Sequence, residues 1–357
     1  MLQRLTTRAG LWLSQPKAGS EDVPFIGTWI GGLALSLILP YYVAPYMLST
    51  IRDALVMGLL ALSYDLLWGR AGVLTLGHTT FFGLGAYGFA IATVQFGASP
   101  VLGLLAGLVC AATVAIVVGY FLLYAGVRLH FFAIISMAVL IVVQQLATSW
   151  QSVTGGDTGI LSVPGLSVNF AGHALDLGGP LGSWYVVATV VLATAFVTWL
   201  ICRSRYGKVL AALATNEWRA RACGYHTSFH LLLVFALSAV LAALAGCLMV
   251  ACSGVVAPDV FSPLLATEVI LWVAVGGRGT IAGPVVAAVA LTLLKQRISS
   301  YSTEWWPLIL GTLFLGCVLF MPNGLRVHRA MRGIYQSCRP FVTRLSRRWG
   351  GRMEGGQ

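Results

Sequence analysis

Residues 231–252 read LLLVFALSAVLAALAGCLMVAC and contain no charged side chain. An α-helix of about 20 predominantly apolar residues is long enough to cross the hydrocarbon core of a bilayer. Further apolar runs lie near 26–48, 51–68, 73–94, 101–123, 128–149, 184–201, 263–276, 281–294 and 305–321. Transmembrane barrels instead show alternating segments of about 10 residues. The sequence therefore predicts an all-α polytopic transmembrane helical bundle of about 8–10 spans.

The overall composition excludes several classes of protein. Of the 357 residues, 58% are apolar and only 9% are charged, and the mean hydropathy is +0.86. An ordinary soluble domain has about 25% charged residues. A soluble enzyme, a disordered protein and a coiled coil are excluded because each needs far more charge. The seven cysteines form no CxxC pair and lie mostly in apolar runs, so neither a disulfide framework nor a metal site is predicted.

The distribution of basic residues divides the chain and predicts its orientation. We expect a polar N-terminal segment at 1–25, a transmembrane domain at 26–325 and an arginine-rich tail at 326–357. No Lys or Arg lies between Arg128 and Arg203, whereas the segment 203–221 holds five. The positive-inside rule then places the loop 150–183 outside, and the basic segment and both termini in the cytoplasm.

Three basic residues, Arg52, Lys295 and Arg297, are exceptions to this orientation. The last two are exceptions only if the runs 263–276 and 281–294 each cross the membrane. Both runs are short, and Gly276-Gly277-Arg278-Gly279 separates them. We therefore expect some of these elements to be broken or re-entrant. The loop 150–183 is rich in Gly and Pro and predicts little regular structure.

Motifs for catalysis are absent from the sequence. None of the three lysines lies in a GxxxxGK[ST] loop, and the chain has neither an HExxH nor a GxSxG motif. We therefore expect no catalytic residue and no ATP hydrolysis by a P-loop in this chain.

Ionisable side chains within the apolar runs are few. A charge at the bilayer centre costs roughly 2.5–3.5 kcal/mol on insertion scales, so each one needs an explanation. Asp65 either reaches water or pairs with a nearby arginine. His78 either bonds a carbonyl as a neutral imidazole or lines a polar pathway. Glu268 is either interfacial or bonds a helix terminus. These groups form no acid relay, which indicates a neutral, weakly polar pathway.

Two glycine-bearing segments, Leu76–Tyr87 and Glu268–Thr280, are candidates to line this pathway together. Broken helices expose backbone dipoles that bind a solute without a charge cost. We expect Thr75, His78 and Thr79, with the carboxylate of Glu268, to form the substrate pathway. The alternative is that both segments only pack against neighbouring helices.

A helical stretch is predicted at 207–222 within the basic segment. Leu210, Leu213 and Ala214 share one face, and the polar residues Asn216, Glu217, Arg219 and Arg221 surround the other. Such a helix either docks in the groove of a partner protein or lies on anionic lipid.

Five motifs in order resemble one family of permeases. They are Gly69-Arg70-Ala71-Gly72-Val73-Leu74-Thr75-Leu76-Gly77-His78 with Phe81–Tyr87, then Thr154–Gly159, Arg205–Lys208 with Asn216–Tyr225, Trp272–Thr280, and Phe320–Leu325. Together they resemble the permeases of the branched-chain amino acid/urea family of ABC importers. Trp272–Thr280 is similar to the urea-type subunit, and the long outer loop to the larger of the two permeases.

The resemblance implies an ATP-driven importer in a bacterial inner membrane. The partners would be a second permease subunit, two cytoplasmic ATPase subunits that bind the ATP, an external solute-binding protein and membrane lipid, without nucleic acid. Asn216, Glu217, Arg219, Arg221 and Gly224 would form the coupling element that contacts an ATPase. Urea, short amides and branched-chain amino acids all remain as solutes. The alternative function is an ATP-independent channel or secondary carrier for a small neutral solute.

Overall fold

The computed structural model describes residues 22–126, 129–165, 167–170, 173–176, 178–299 and 305–320. The predicted tail 326–357 lies outside the described residues, as does all but the end of the predicted segment 1–25.

The described chain is an all-α polytopic helical bundle, which confirms the predicted fold class. Its helices are α1 Asp22–Tyr42, α2 Pro45–Asp65, α3 Thr79–Val94, α4 Pro100–Tyr124, α5 Leu129–Ser149, α6 Gln151–Thr154, α7 Pro180–Arg203, α8 Arg205–Thr215, α9 Glu217–Ala222, α10 Thr227–Ser253, α11 Pro263–Gly276, α12 Ala282–Ser299 and α13 Trp305–Phe320. A π-turn at Leu66–Arg70 continues α2, and 3-10 turns lie at Gly156–Thr158 and Pro258–Phe261.

The loop 150–183 contains more regular structure than its composition predicts. It holds α6, one 3-10 turn and a hairpin of β1 (Ser167–Phe170) and β2 (His173–Asp176), and α7 already begins at Pro180. The two strands pair antiparallel, with Ser167 opposite Asp176. Prolines and glycines end helices but are compatible with the turns between such short elements.

Five helical stretches in the described part of the chain are long and apolar enough to cross a membrane. They are Pro45–Arg70, Pro100–Tyr124, Phe131–Ser149, Pro180–Arg203 and Thr227–Ser253. The first and the last are 56% and 61% buried, against 22–28% for the other three. Helix α2 with its π-turn and helix α10 therefore form the centre of the bundle, and the other three expose apolar side chains.

The bundle has two chemically different ends. Helix α7 spans 24 residues, about 36 Å at 1.5 Å per residue, so it separates the loop before it from the basic segment after it. We name these the hairpin end (150–179) and the basic end (203–226). Ile160 and Val256 exchange backbone hydrogen bonds of 2.9 and 3.1 Å, so helix α10 also ends at the hairpin end.

Close contact between α3 and α10 depends on small residues. A side chain at Gly85 would meet the backbone of Ala243, and one at Gly246 would overlap the carbonyl oxygen of Phe82. These two helices therefore approach each other backbone to backbone, as small residues allow in membrane bundles.

Candidate functional site

The chain leaves helical geometry between the π-turn and α3. The run 73–94 predicts one continuous span, but the helix begins only at Thr79, and residues 71–78 are not helical. Gly72 begins this broken segment with φ +78°, a conformation that L side chains rarely adopt. We name residues 71–78 the broken segment. The break therefore precedes most of the candidate segment Leu76–Tyr87, whose residues from Thr79 onward are helical.

Side chains from neighbouring helices satisfy the backbone of the broken segment. The Tyr64 hydroxyl donates to the carbonyl of Thr75 at 2.9 Å, and the amide of Leu76 donates to Ser136 Oγ at 3.1 Å. The amide of Gly77 donates to Thr75 Oγ1 at 3.2 Å. An irregular backbone is tolerated at membrane depth only where protein groups or a cavity take up its hydrogen bonds.

His78, at the end of the broken segment, is buried together with Thr75 and Thr79. Its Nε2 lies 2.9 Å from Ser63 Oγ, and its ring packs edge-on against Tyr64 and Phe81. The Nε2 atom of the imidazole thus contacts a hydroxyl, whereas one of the two alternatives for His78 is a bond to a carbonyl. The structure brings Thr75, His78 and Thr79 together within one segment that contacts α2 and α5.

Glu268 has a different set of partners. It is buried in α11, where its Oε1 accepts hydrogen bonds of 2.7 Å from both Lys295 Nζ and Trp306 Nε1. The carboxylate thus joins α11 to α12 and α13 through side-chain bonds.

The C-terminal end of the segment Glu268–Thr280 contacts the end of α2 and the π-turn that follows it. Asp65 Oδ1 accepts a 2.7 Å hydrogen bond from the amide of Gly279, and the guanidinium of Arg278 lies 4.2 Å from the centre of the Trp68 ring. Asp65 is buried, so it does not reach water as one alternative holds. Tyr87, at the end of the first segment, instead stacks on Phe261, which precedes α11.

Arg52, another exception to the orientation rule, is buried at the hairpin end. It donates to Asp53 Oδ1 at 2.8 Å and to Ser183 Oγ, in the first turn of α7, at 2.9 Å. Its charge is thus compensated by a carboxylate, which weakens its value as an orientation signal.

The basic end carries two helices where the sequence predicts one. Asn216 separates α8 from α9, because its side-chain oxygen accepts the Arg219 amide at 3.0 Å and caps the second helix. Leu210 and Leu213 are buried, as the predicted apolar face requires.

Other side chains hold the connection from α9 to α10. Arg221 lies 3.5 Å from Glu217 and donates to Thr227 Oγ1 at 3.2 Å, while Gly224 has φ +89°. The Tyr206 hydroxyl donates to the carbonyl of His230 at 2.9 Å, and burial raises the pKa of this phenol. Four of the predicted coupling residues therefore make contacts or turns within the segment from α8 to α10: Asn216, Glu217, Arg221 and Gly224.

The most exposed aromatic side chain of this end escaped the sequence prediction. Trp218 in α9 is 83% exposed, next to the exposed Arg219. A tryptophan between charged residues in a basic segment was the available signal, because Trp and Arg are enriched among the anchor residues of protein interfaces.

In the described ranges, no group of three or more His, Cys, Asp or Glu side chains is arranged to hold a metal ion.

A family model and known permease proteins match most of the chain that forms this bundle. The model of the family "Branched-chain amino acid transport system / permease component" matches residues 46–318. The chain is 27% identical over 314 residues to the high-affinity branched-chain amino acid transport system permease protein LivM of Salmonella typhimurium, covering 82% of this chain and 73% of that protein. It is 25% identical over 299 residues to LivH of Escherichia coli, a permease protein with the same system name, covering 78% and 95%. No solved structure matches the chain.

The apolar helices and the permease relatives make this a multi-pass membrane protein. Because the family model covers most of the chain, from α2 into α13, the protein belongs to the branched-chain amino acid transport system permease component family.

Proposed function

We propose that this chain is the permease subunit of an ABC importer that moves a small polar solute into the cytoplasm. The observation that carries the proposal is the helix pair α8–α9, which is folded against the bundle yet presents Trp218 and Arg219 to solvent. A rigid helix with an exposed aromatic anchor fits a groove on a partner protein. The partner would be a cytoplasmic ATPase subunit.

Packing at the basic end supports a mechanical link from α8 to the broken segment. A Cβ at Gly72 would lie 3.3 Å from the Cα of Ala214, so α8 rests directly on the start of that segment. Leu210 and Leu213 belong to the same apolar core as Ala71 and Val73. Since close-packed interiors transmit displacement, a movement of α8 would shift the backbone that carries Thr75 and His78.

The proposed pathway runs beside the broken segment. Thr75, His78 and Thr79 offer neutral polar groups at membrane depth, which suits a solute whose charge need not be compensated. Glu268 would take part in the pathway through its hydrogen bonds with Lys295 and Trp306. The names of the relatives favour a branched-chain amino acid, and the resemblance of Trp272–Thr280 favours urea or a short amide.

In the proposed assembly, this chain has four kinds of partner. A second permease subunit is supported by LivM and LivH, two different permease proteins with the same system name. Two ATPase subunits would bind all the ATP, an external protein would deliver the solute, and membrane lipid would cover the exposed faces of α4 and α7. The membrane would be the bacterial inner membrane, with the basic end and both termini in the cytoplasm.

The test is uptake by the assembled complex. The chain is purified from its host by an affinity tag, co-purifying chains are identified, and the complex is reconstituted into vesicles with external solute-binding protein. We expect uptake of labelled leucine or urea only when ATP reaches the ATPase side. Equal uptake without ATP would contradict the proposal and favour the channel or carrier alternative.

Replacing Trp218 and Arg219 by alanine tests the docking surface. Anchor residues of this kind contribute about 2 kcal/mol or more, so we expect co-purification of the ATPase and ATP-driven uptake to fall at least about tenfold. The matched control is Trp150→Ala, since Trp150 is 51% exposed but lies at the hairpin end. If the double variant keeps both properties, α8–α9 is not the coupling element.

A further inference from the structure

We propose that the imidazole Nδ1 of His78, with the hydroxyls of Thr79 and Thr80, forms a binding station that accepts an N–H group of the passing solute. The inference rests on the proposed function only in that the solute crosses the membrane through this chain. It adds an acceptor atom, a further residue and a required ligand chemistry to the pathway.

The hydrogen bonds of Ser63 assign the tautomer of His78. Ser63 Oγ lies 2.7 Å from the carbonyl oxygen of Leu60, which can only accept, so the hydroxyl hydrogen lies on that bond. We infer that the 2.9 Å contact between Ser63 Oγ and His78 Nε2 then uses an N–H of the imidazole. A neutral imidazole carries one hydrogen, which leaves Nδ1 as a bare acceptor. This atom is buried and has no hydrogen-bond partner among the described residues.

The helix break also leaves two hydroxyls without partners. Threonines inside helices usually donate to the carbonyl four residues earlier, as Thr93 does to Phe89 at 2.8 Å and Thr194 to Val190 at 2.7 Å. Thr79 and Thr80 begin α3, so the residues four positions earlier belong to the broken segment. The carbonyl of Thr75 already accepts from Tyr64. Thr79 Oγ1 and Thr80 Oγ1 are buried and find no partner in the described chain.

Three consecutive residues thus hold buried polar atoms that lack partners. A buried polar group without a hydrogen-bond partner destabilises the folded state, so a cluster of such groups needs an explanation. They lie at the N-terminus of the 16-residue helix α3. We infer that a solute donating an N–H to Nδ1 and exchanging hydrogen bonds with the hydroxyls would supply the partners that these groups lack. The ligand chemistry is a nitrogen donor, either the ammonium of an amino acid or the amide of a urea-like solute.

The decisive variants separate the two ring nitrogens. In His78→Gln, the side-chain amide reaches the position of Nε2 and keeps the donor to Ser63, but the acceptor at Nδ1 is lost. In His78→Asn, a side-chain oxygen near the position of Nδ1 keeps the acceptor, but the bond to Ser63 is lost. The matched control is Thr198→Val, because Thr198 is another buried hydroxyl without a partner in the described chain but lies on α7.

The measurement is the KM for uptake in vesicles, with labelled leucine and labelled urea as separate probes and subunit assembly checked for every variant. One lost hydrogen bond predicts about a three- to tenfold higher KM for His78→Gln. The paired Thr79→Val and Thr80→Val variant should show a similar increase in KM, whereas the control Thr198→Val should stay near the wild-type value. The increase for His78→Asn, which keeps the acceptor, should be smaller than that for His78→Gln. The probe that shows the increase identifies the ammonium or the amide as the donor.

An unchanged KM in His78→Gln for the transported probe would overturn the inference, and the cluster would then hold structural water only. An equal increase in Thr198→Val would also overturn it. If uptake does not depend on ATP but His78→Gln still raises the KM, the ABC mechanism is contradicted and the binding site at His78 is supported. If wild type transports neither probe, the station as a nitrogen-donor site is contradicted as well.

Discussion

At the residue scale, the contact between Glu268 and Lys295 links neighbouring helices of the bundle. The Glu268 side chain is 2% exposed and the Lys295 side chain 38% exposed, with 2.7 Å between Oε1 and Nζ. Trp306 donates to the same oxygen, so one carboxylate ties three helices. Such a pair contributes less by its own attraction than it costs when one partner is lost.

Lys295→Met is therefore expected to destabilise the protein. It leaves Glu268 as an uncompensated buried charge, which costs about 3 kcal/mol, at the low end for buried pairs because Lys295 is partly exposed. The measurement is thermal unfolding in detergent, where the midpoint should fall.

The control for this prediction is the double variant Glu268→Gln with Lys295→Met. It removes both charges and keeps a side-chain acceptor for Trp306, so its midpoint should recover most of the loss. A midpoint of Lys295→Met equal to that of wild type would show that the pair does not stabilise the bundle.

At the element scale, the contact between α3 and α10 is decided by the absence of side chains. Gly246→Val would place a branched side chain against the carbonyl oxygen of Phe82, where only backbone could yield. We expect a loss of folded protein, measured by monodisperse yield after detergent extraction, since overpacking costs about 1–3 kcal/mol or more.

Gly311→Val is the matched control for the same substitution. Gly311 lies in α13, and a side chain there would meet nothing within 4 Å in the described structure. Its yield should stay near that of wild type, because the difference in helix propensity between valine and glycine is small compared with the cost of a steric clash in the core. Similar yields for both variants would contradict the close backbone contact.

Two elements also depart from their sequence patterns for a physical reason. The run 73–94 has the hydropathy of a span, but Tyr64 and Ser136 bond the backbone of the broken segment and replace the helical hydrogen bonds there. The helical stretch at 207–222 divides at Asn216, whose side chain competes for the backbone of α9. Hydropathy carries no information about such partners.

At the scale of the whole molecule, the two ends of the bundle should face opposite sides of the membrane. Single-cysteine variants test this with a membrane-impermeant thiol reagent applied to intact and to opened cells. Asp157→Cys, with the native cysteines replaced, should react in intact cells because it lies at the hairpin end. A variant that keeps only Cys223, which is exposed at the basic end, should react only after opening. The reverse pattern would contradict the proposed orientation.

The sequence by itself determined the class of the protein and much of its organisation. Hydropathy and charge are additive along the chain, so they predicted the membrane bundle, the α11 helix from 263 to 276 and the basic segment between α7 and α10. The ordered motifs predicted the permease family, which the family model confirms. The urea-type assignment and the pathway and coupling residues stay predictions.

Only the tertiary structure decided which polar groups find partners. It paired Glu268 with Lys295 and Trp306, and Asp65 with the amide of Gly279, across distances in sequence that no local pattern spans. It also left His78 Nδ1 without a partner in the described chain. The physical reason is that hydropathy depends on each residue alone, whereas a buried hydrogen bond depends on where a second residue lies in space.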